Sequence, residues 1–355
     1  MNVLLTSAAR RIDFVQFFQD SINGLNIEGS IIATDPDPGA PGLQQADRSY
    51  ITPHQTDQNY LNAVLSICEN EKIKMLIPLN DWEIAKFAEA RHEFEKLGVR
   101  VFTPDASTVQ AMRDKHQYRE LLGRFGVAAP VSYLTVEEAA QGVEDQEVNW
   151  PLIVKPRNGS ASVGINTVSS VEDMRFAYKQ AVDAIKDSPI ADDSGRSPED
   201  NIVIQQVVDG EKYSVDVVND LEGNYLTTLV LKQLEMRGGD VDKAVSVKDE
   251  ELLEVGRKIG ENLQHVGYIN TDVFYDGHDY YVIDINPRFG GGYALSHAAG
   301  ANIPSAYLAL AAGKDLYPEW LNDKANIELA RYDRVVKIDK DKGIPATPDE
   351  RSSTV

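Results

Sequence analysis

An open parallel α/β domain followed by a two-lobed α+β region built on antiparallel sheets is the fold class that the sequence predicts. Three observations carry it. Over the first hundred residues, short aliphatic runs alternate with longer amphipathic ones, as in βαβ units around a parallel sheet. Polar loops at Thr6 to Arg10, Thr34 to Pro41 and Pro78 to Asp81 end those short runs, where open parallel sheets place their ligands. Beyond Pro130, strand patterns dominate.

Val3-Leu4-Leu5 reads as the first strand, and Arg11 to Ile22 as a helix with Ile12, Val15, Phe18 and Ile22 on one face. Ser30 to Ala33 (strand), Tyr60 to Cys68 (helix), Met75 to Ile77 (strand), Trp82 to Leu97 (helix) and Val99 to Phe102 (strand) complete the α/β domain. Thr6 to Arg10 contains no glycine, so the dinucleotide turn G-x-G-x-x-G is missing and a small substrate is expected here rather than a nucleotide. Pro104 to Phe125 reads as a helical connector, followed by a linker to Pro130. Next come strands at Leu152 to Lys155, Ile202 to Gln205, Tyr213 to Val218, Tyr225 to Leu234, Tyr268 to Tyr275 and Tyr280 to Ile285. Helices are expected at Val171 to Lys186, Glu250 to Val266 and Ile303 to Ala312. Asp187 to Asp200, with Pro, Ser, Gly and five acidic residues, reads as a mobile loop, and residues 341–355 as a frayed tail. The resulting division is 1–104, a connector over 105–125, a lobe over 126–205, a second lobe over 206–340, and the tail.

The 355 residues carry 35 basic and 56 acidic side chains, a formal charge of −21. So negative a surface opposes unaided binding to nucleic acid or to an anionic bilayer, which need clustered Lys and Arg. A phosphate-bearing ligand must be caught locally. Cys68, the single cysteine, cannot form an intramolecular disulfide, and the apolar run of MNVLLTSAARR is too short for a signal peptide. A cytoplasmic protein without membrane contact is expected. The six histidines show no metal spacing, and H-E-x-x-H and G-x-S-x-G are absent, which removes metalloprotease and serine-hydrolase readings.

The most informative stretch is YINTDVFYDGHDYYVIDINPR, Tyr268 to Arg288, two alternating runs around the turn signal Asp276-Gly277. On the second strand Asp284 and Asn286 point one way and Ile283 and Ile285 into a core; a three-residue loop would set Asp272 across from Asp284. Oxygen ligands gathered on one face, with Arg288 beside them, suit Mg²⁺ bound together with phosphates. The competing reading is a solvated face of an ordinary hairpin. It leaves Asn-Pro-Arg and the run Gly290 to Gly292 unexplained. In the second motif Lys155 ends a strand and precedes a turn with Gly159, Ser160, Ser162 and Gly164, which could converge on an anion or be a plain hairpin turn. It is no P-loop, because Ile165-Asn166 stand where Lys-Ser/Thr is required. Third, Gln206, Val207 and Val208 could offer backbone groups to a purine edge and Glu211 could accept from ribose; the plain reading is two strands and a loop. Lys232 and Arg237 could face phosphates or be exposed charges, and Asp114-Lys115 by default is a solvated helix face. Arg10, Arg11, Asp35, Asn80, Asp81 and Glu83 could line a pocket for an amino-acid-like molecule, although Asp81 reads better as a helix N-cap.

The order of these motifs resembles the ATP-grasp superfamily, specifically its carbamoyl-phosphate-synthase-like carboxylate–amine ligases, over nearly the whole chain. The resemblance implies a pre-ATP-grasp α/β domain, a lid lobe and a C-terminal lobe. It also implies nucleotide binding by Lys115, Lys155, Gly159, Ser160, Ser162, Gly164, Gln206, Val207, Val208 and Glu211, and metal binding by Asp272, Asp284 and Asn286. Arg288, Lys232 and Arg237 would act on the reacting phosphoryl group. ATP and Mg²⁺, with Mn²⁺ as the alternative ion, are the implied cofactors. A small carboxylic acid and an amine are the implied substrates, in a homodimer. Two departures stand out: Gln205-Gln206 where the hinge commonly has Glu, and Asp284 where the inner metal ligand is often Glu. The alternatives are a kinase acting on carbamate or a related acid, and an ATP-binding regulator without catalysis.

Overall fold

The computed structural model describes residues 1–158, 164–188, 190, 195–339 and 341–346. Its N-terminal sheet contains β1 (Asn2–Thr6), β2 (Ile31–Asp35), β3 (Arg48–Ile51), β4 (Ile73–Pro78) and β5 (Arg100–Val101), all parallel. Val3, Leu4 and Leu5 are fully buried because helices cover both faces of the central strand. The helices are α1 (Ile12–Gly24), α2 (Pro41–Gln45), α3 (Tyr60–Asn70), α4 (Asp81–Glu89) and α5 (Arg91–Lys96). The single helix expected from Trp82 to Leu97 is thus two, broken at Ala90. Its cap is Asn80 rather than Asp81: the Asn80 side chain accepts from the Trp82 N–H in a capping box with Glu83. The short elements α2 and β3 are additions to the expected list.

β1 has β2 on one side and β4 on the other, so the strand order reverses beside it. Ligands of open sheets bind at such a switch point, beyond the carboxyl ends of the strands. Glu83 organises that spot. Fully buried, its carboxylate accepts from Thr6 Oγ1 at 2.9 Å, Ser7 Oγ at 2.7 Å, the Leu79 N–H at 3.2 Å, the Asn80 N–H at 3.3 Å and the Tyr60 hydroxyl. Burial pushes this carboxyl up to about 7, against the pull of its donors.

The connector is not one helix but α6 (Ala106–Arg113) and α7 (Tyr118–Gly123), separated by an irregular turn carrying Asp114 and Lys115. A smaller sheet follows, with β6 (Ser132–Tyr133), β7 (Leu152–Pro156), β8 (Asn166–Val168) and β9 (Ile202–Gln206) in the order β6-β9-β7-β8. Helices α8 (Val136–Glu144) and α9 (Val171–Lys186) supply its core with Ala139, Met174, Ala177, Ala181 and Ile185. Gly159, Ser160 and Ser162, and part of the loop expected over 187–200, lie outside the described residues.

The irregular residues 207–210 carry the chain into a large antiparallel sheet. Its strands are β10 (Glu211–Asn219), β11 (Tyr225–Arg237), β12 (Asp240–Ser246), β13 (Tyr268–Tyr275), β14 (Tyr280–Asn286) and β15 (Glu328–Ala330), in the order β14-β13-β10-β11-β12-β15. One face, with Tyr213, Val215, Val217, Val230, Ile269, Val273, Val282 and Ile285, packs on Leu252 and Ile259 of α10 (Glu250–Leu263). By the strict alternation of strand side chains, Lys212, Ser214, Asp216, Asn270, Asp272, Asp284 and Asn286 occupy the other face. Leu295 of α11 (Tyr293–Ala298) covers Leu231 there, while α12 (Ile303–Ala311) packs against α1.

Asp272 pairs with Asp284 as expected, but by another route. Tyr275 pairs with Tyr280, leaving a four-residue loop, and a bulge at Ile283 then shifts the register by one. Val282 rather than Ile283 therefore joins Ile285 in the core. The chain end also departs from expectation: Gly343–Pro345 form β16, which pairs parallel with β3 and extends the first sheet. Residues 347–355 lie outside the described residues.

Replacing Glu83 by Ala would strand several buried donors at once, and a cost of roughly 3 kcal/mol is expected from urea unfolding. A loss below about 1 kcal/mol would contradict the role assigned to it.

Candidate active site

Three elements bring cations to the paired carboxylates. Lys115, on the connector turn, lies 2.9 Å from Asp284 Oδ1. Lys212, the second residue of β10, lies 2.9 Å from Asp272 Oδ2, and the Gln233 amide donates to Asp272 Oδ1 at 3.2 Å. Lys155, near the end of β7, is buried and feels Lys115, Lys212, Asp284 and Asp272, yet forms no ion pair among the described residues. Burial first, then the neighbouring Lys115, lowers its ammonium to about 8, although Asp284 and Asp272 oppose the fall. Burial pushes the Asp284 carboxyl up, but Lys115, Lys155 and Arg288 outweigh it and hold the group below its ordinary value. Three lysines around two carboxylates leave one positive charge uncompensated in a chain of charge −21. Asn286 continues the same face, and Asp81, Arg113, Lys115, Asp284, Asn286 and Pro287 line an adjoining cleft.

The turn that presents Lys115 is held from below by Asp114. Far from being a solvated helix residue, Asp114 is fully buried and lies in the irregular segment between α6 and α7. It takes Arg157 in a two-pronged pair, both contacts 2.6 Å, with Arg196 at 3.1 Å, Gln117 at 2.8 Å and the His116 N–H at 3.2 Å. Arg157 lies just before the segment 159–163, and Asn201 pins the same spot by accepting from the Asn158 N–H at 2.8 Å. Tyr118 braces the opposite wall, its hydroxyl accepting from the Ile285 N–H at 3.0 Å.

The other expected site residues fall unevenly. Gln206 ends β9 and is bound to Val131, its N–H donating at 2.9 Å and its side chain accepting at 3.3 Å; Val207 and Val208 follow, half-buried, in the segment joining the two sheets. Gly164 has a φ of +64°, and a Cβ there would come within 3.2 Å of Ala181, which is reason enough for a glycine. Lys232 does not join the carboxylates. It pairs across from Tyr213, on the face opposite Asp272, and closes an ion pair with Glu211, which also accepts from the Tyr213 hydroxyl. Their neighbours Lys212 and Gln233 occupy the site face instead. Arg237 lies at the far end of β11, half-exposed, between Asp242 at 2.9 Å and Asp333 at 2.7 Å. Arg288 is half-buried and pairs with Asp81 at 2.8 Å, joining the first domain to the large sheet. Burial would lower its guanidinium pKa, but Asp81 and Asp284 raise it. Lys212 and Gln233 went unnoticed in the sequence. The core alternation Tyr213-Val215-Val217 is the signal that would have found Lys212.

Comparison with known proteins agrees with this layout. Residues 3–102 match the family described as "PylC-like, N-terminal domain", and residues 198–335 match "ATP-grasp in the biosynthetic pathway with Ter operon". The chain is thus similar to PylC-like proteins over its first domain and to ATP-grasp proteins over its C-terminal part. Its sequence is carbamoyl-phosphate-synthase-like: it is 23% identical over 298 residues to the carbamoyl phosphate synthase large chain of Clostridium acetobutylicum, covering 81% of this chain and 26% of that one. It is 26% identical over 273 residues to the C-terminal section of the Methanopyrus kandleri large chain, covering 73% of this chain and 46% of the other. The chain thus spans about a quarter of the full-length relatives. Among solved structures, the biotin carboxylase complex from Campylobacter jejuni superposes with a TM-score of 0.71 at 18% identity, over 90% of this chain and 73% of that one. The biotin carboxylase domain dimer of the Hydrogenobacter thermophilus 2-oxoglutarate carboxylase, a complex with MgADP and bicarbonate, gives 0.69 at 17% identity, over 88% and 70%. Among the described residues no helix is long and apolar enough to cross a membrane.

The low Lys155 pKa has a stability consequence. The folded chain releases this proton near pH 8, whereas the unfolded chain holds it to the ordinary lysine value of 10.5. Between those values the unfolded state binds more protons, so stability rises with pH across the window. Lys155→Met should flatten that rise in urea unfolding followed over a pH series; an unchanged slope would contradict the assignment.

Proposed function

We propose that this protein is an ATP-dependent ligase that activates a small carboxylic acid as an acyl phosphate and couples it to an amine, releasing ADP and phosphate. The observation that carries the reading is the convergence of Lys115, Lys155 and Lys212 on the facing carboxylates Asp272 and Asp284, where the small and large sheets meet. Among the described residues no group of three or more His, Cys, Asp or Glu side chains could hold a metal. Two carboxylates and an amide oxygen instead fit an ion that shares its shell with phosphates, the usual arrangement for Mg²⁺. Asp272, Asp284 and Asn286 would hold it, and when bound it supplies charge neutralisation at the phosphate oxygens.

The chain's own residues account for the rest. In the first step a carboxylate oxygen attacks the γ-phosphorus, and the bond to the ADP oxygen breaks. Two anions must meet, so charge neutralisation and alignment govern the barrier more than any base does. The three lysines bind the phosphates. Arg288, steadied by Asp81, orients the acid. The amine then attacks the acyl carbon, phosphate leaves, and the amine loses a proton. The Asp114 anchor fixes Arg157 beside the turn that carries Lys115. The −21 charge makes a small-molecule acid and amine, held by local cations, the fitting partners.

Screening acid and amine pairs for ADP release tests this reading. Lys155→Ala and Asp284→Ala should each abolish release, and Lys212→Met should lower it at least tenfold while Lys232→Met changes it less than threefold. Incorporation of the amine nitrogen separates a ligase from a kinase. Tight ATP binding without ADP release across the whole panel would favour a regulator.

A further inference from the structure

Both carboxylates assigned to the ion already carry a cation of the chain's own. Lys115 lies 2.9 Å from Asp284 Oδ1 and Lys212 lies 2.9 Å from Asp272 Oδ2, so each acid holds an ammonium on an oxygen that a metal would use. Gln233 donates to the other oxygen of Asp272 at 3.2 Å, which leaves its own carbonyl oxygen buried without a hydrogen-bond partner. Asp272, Lys212 and Gln233 stand on the adjacent strands β13, β10 and β11 of one sheet, whereas Lys115 reaches Asp284 from the connector turn. Asp272 and Asp284 keep 24% and 25% of their side-chain surface exposed, so a ligand can reach both pairs.

A divalent ion arriving alone meets an unfavourable balance. Three lysines against two carboxylates leave one surplus positive charge, and the bare ion would raise that surplus to three. It must also strip the ammonium groups from both acids and leave them in a partly desolvated site, where an unpaired charge is costly. Mg²⁺ gives up its water shell reluctantly and takes one or two carboxylates together with phosphates. A nucleotide diphosphate or triphosphate reverses each of these costs, because it offers the ammonium groups new anionic partners. A lysine is a compact charge with three donors on a flexible stem, so it can turn from carboxylate to phosphate without movement of the backbone. The carboxylate oxygens are then open to the ion.

We propose that Lys212 and Lys115 are resident counter-ions of the metal site: they hold Asp272 and Asp284 until nucleotide phosphates draw them away, so that ion and nucleotide bind as a coupled pair and the ion alone is refused. The inference rests on the ligand assignment made in the ligase reading and adds how the site is loaded and emptied. Departure of the nucleotide returns the lysines to the carboxylates and expels the ion. By linkage, the factor by which nucleotide tightens the ion is the factor by which the ion tightens nucleotide.

Mn²⁺ binding to the full chain, followed by electron paramagnetic resonance of the free ion, tests it. The chain alone, ADP alone and the chain with ADP are compared, so that ion held by ADP in solution is subtracted. The unaltered chain should bind Mn²⁺ about 50-fold more weakly alone than with ADP, and Mn²⁺ should tighten ADP by the same factor. Lys212→Met and Lys115→Met should each tighten Mn²⁺ alone about tenfold and shrink the coupling, a gain that damage to the fold cannot produce. Lys232→Met, on the opposite face with Glu211, should do neither. Tight Mn²⁺ binding by the unaltered chain alone, the absence of a gain in either site-lysine variant, or an equal gain in Lys232→Met would overturn the proposal. No ion held even with ADP would overturn it together with the metal assignment. Coupling and gain as expected, in a chain that releases no ADP with any acid and amine pair, would sink the ligase reading and leave the coupling standing. ADP release by a chain that binds Mn²⁺ tightly on its own would do the reverse.

Discussion

Two carboxylates held face to face on adjacent strands would repel each other unless cations were supplied, and much of the architecture serves to supply them. Asp272 and Asp284 sit directly across from one another on β13 and β14. Lys115 comes from the connector, Lys155 from the small sheet and Lys212 from β10, so three segments must be correctly docked for the cations to surround the two carboxylates. Partial burial strengthens these interactions relative to water and raises the cost of leaving any partner unmatched. The surplus positive charge is what a phosphate chain would neutralise.

Buried anions act as the anchors for these positions. Glu83 gathers donors from β1, α3 and the loop after β4, holding the switch-point loop that leads to Arg11. Asp114 gathers Arg157, Arg196 and Gln117, holding the connector turn against the base of the small sheet. The Arg288–Asp81 pair then joins the first domain to the large sheet. In each case a charge removed from water is surrounded by donors, which is the condition under which burial is tolerated.

Much of the fold was legible along the chain. Strong periodicity located α9 at Val171–Lys186 and β13 at Tyr268–Tyr275 to the residue, since long amphipathic and alternating segments carry their own signal. Short elements were not: β3, β6, β8 and α2 have too few residues for a period to emerge, and docking on neighbours makes them what they are. Asp272, Asp284 and Asn286, the proposed metal ligands, were visible as an acidic, amide-bearing alternation after a turn signal. The bulge at Ile283 was invisible, although it sets their register, because a one-residue insertion leaves no mark on composition.

What the sequence by itself determined is the chemistry on offer: lysines at strand and helix ends, carboxylates two residues from amides, and a charge balance that demands local capture of anions. Tertiary structure alone decided which of these meet. Lys212 and Lys232 are equally plausible on paper, yet strand alternation and pairing put the first against Asp272 and the second behind the sheet with Glu211. Asp114 and Asp81 read as surface and cap, and became an interior anchor and a bridge between domains. The reason is that each such contact joins residues dozens to hundreds of positions apart. Its energy depends on distance and burial, and neither exists until the separate layers have packed.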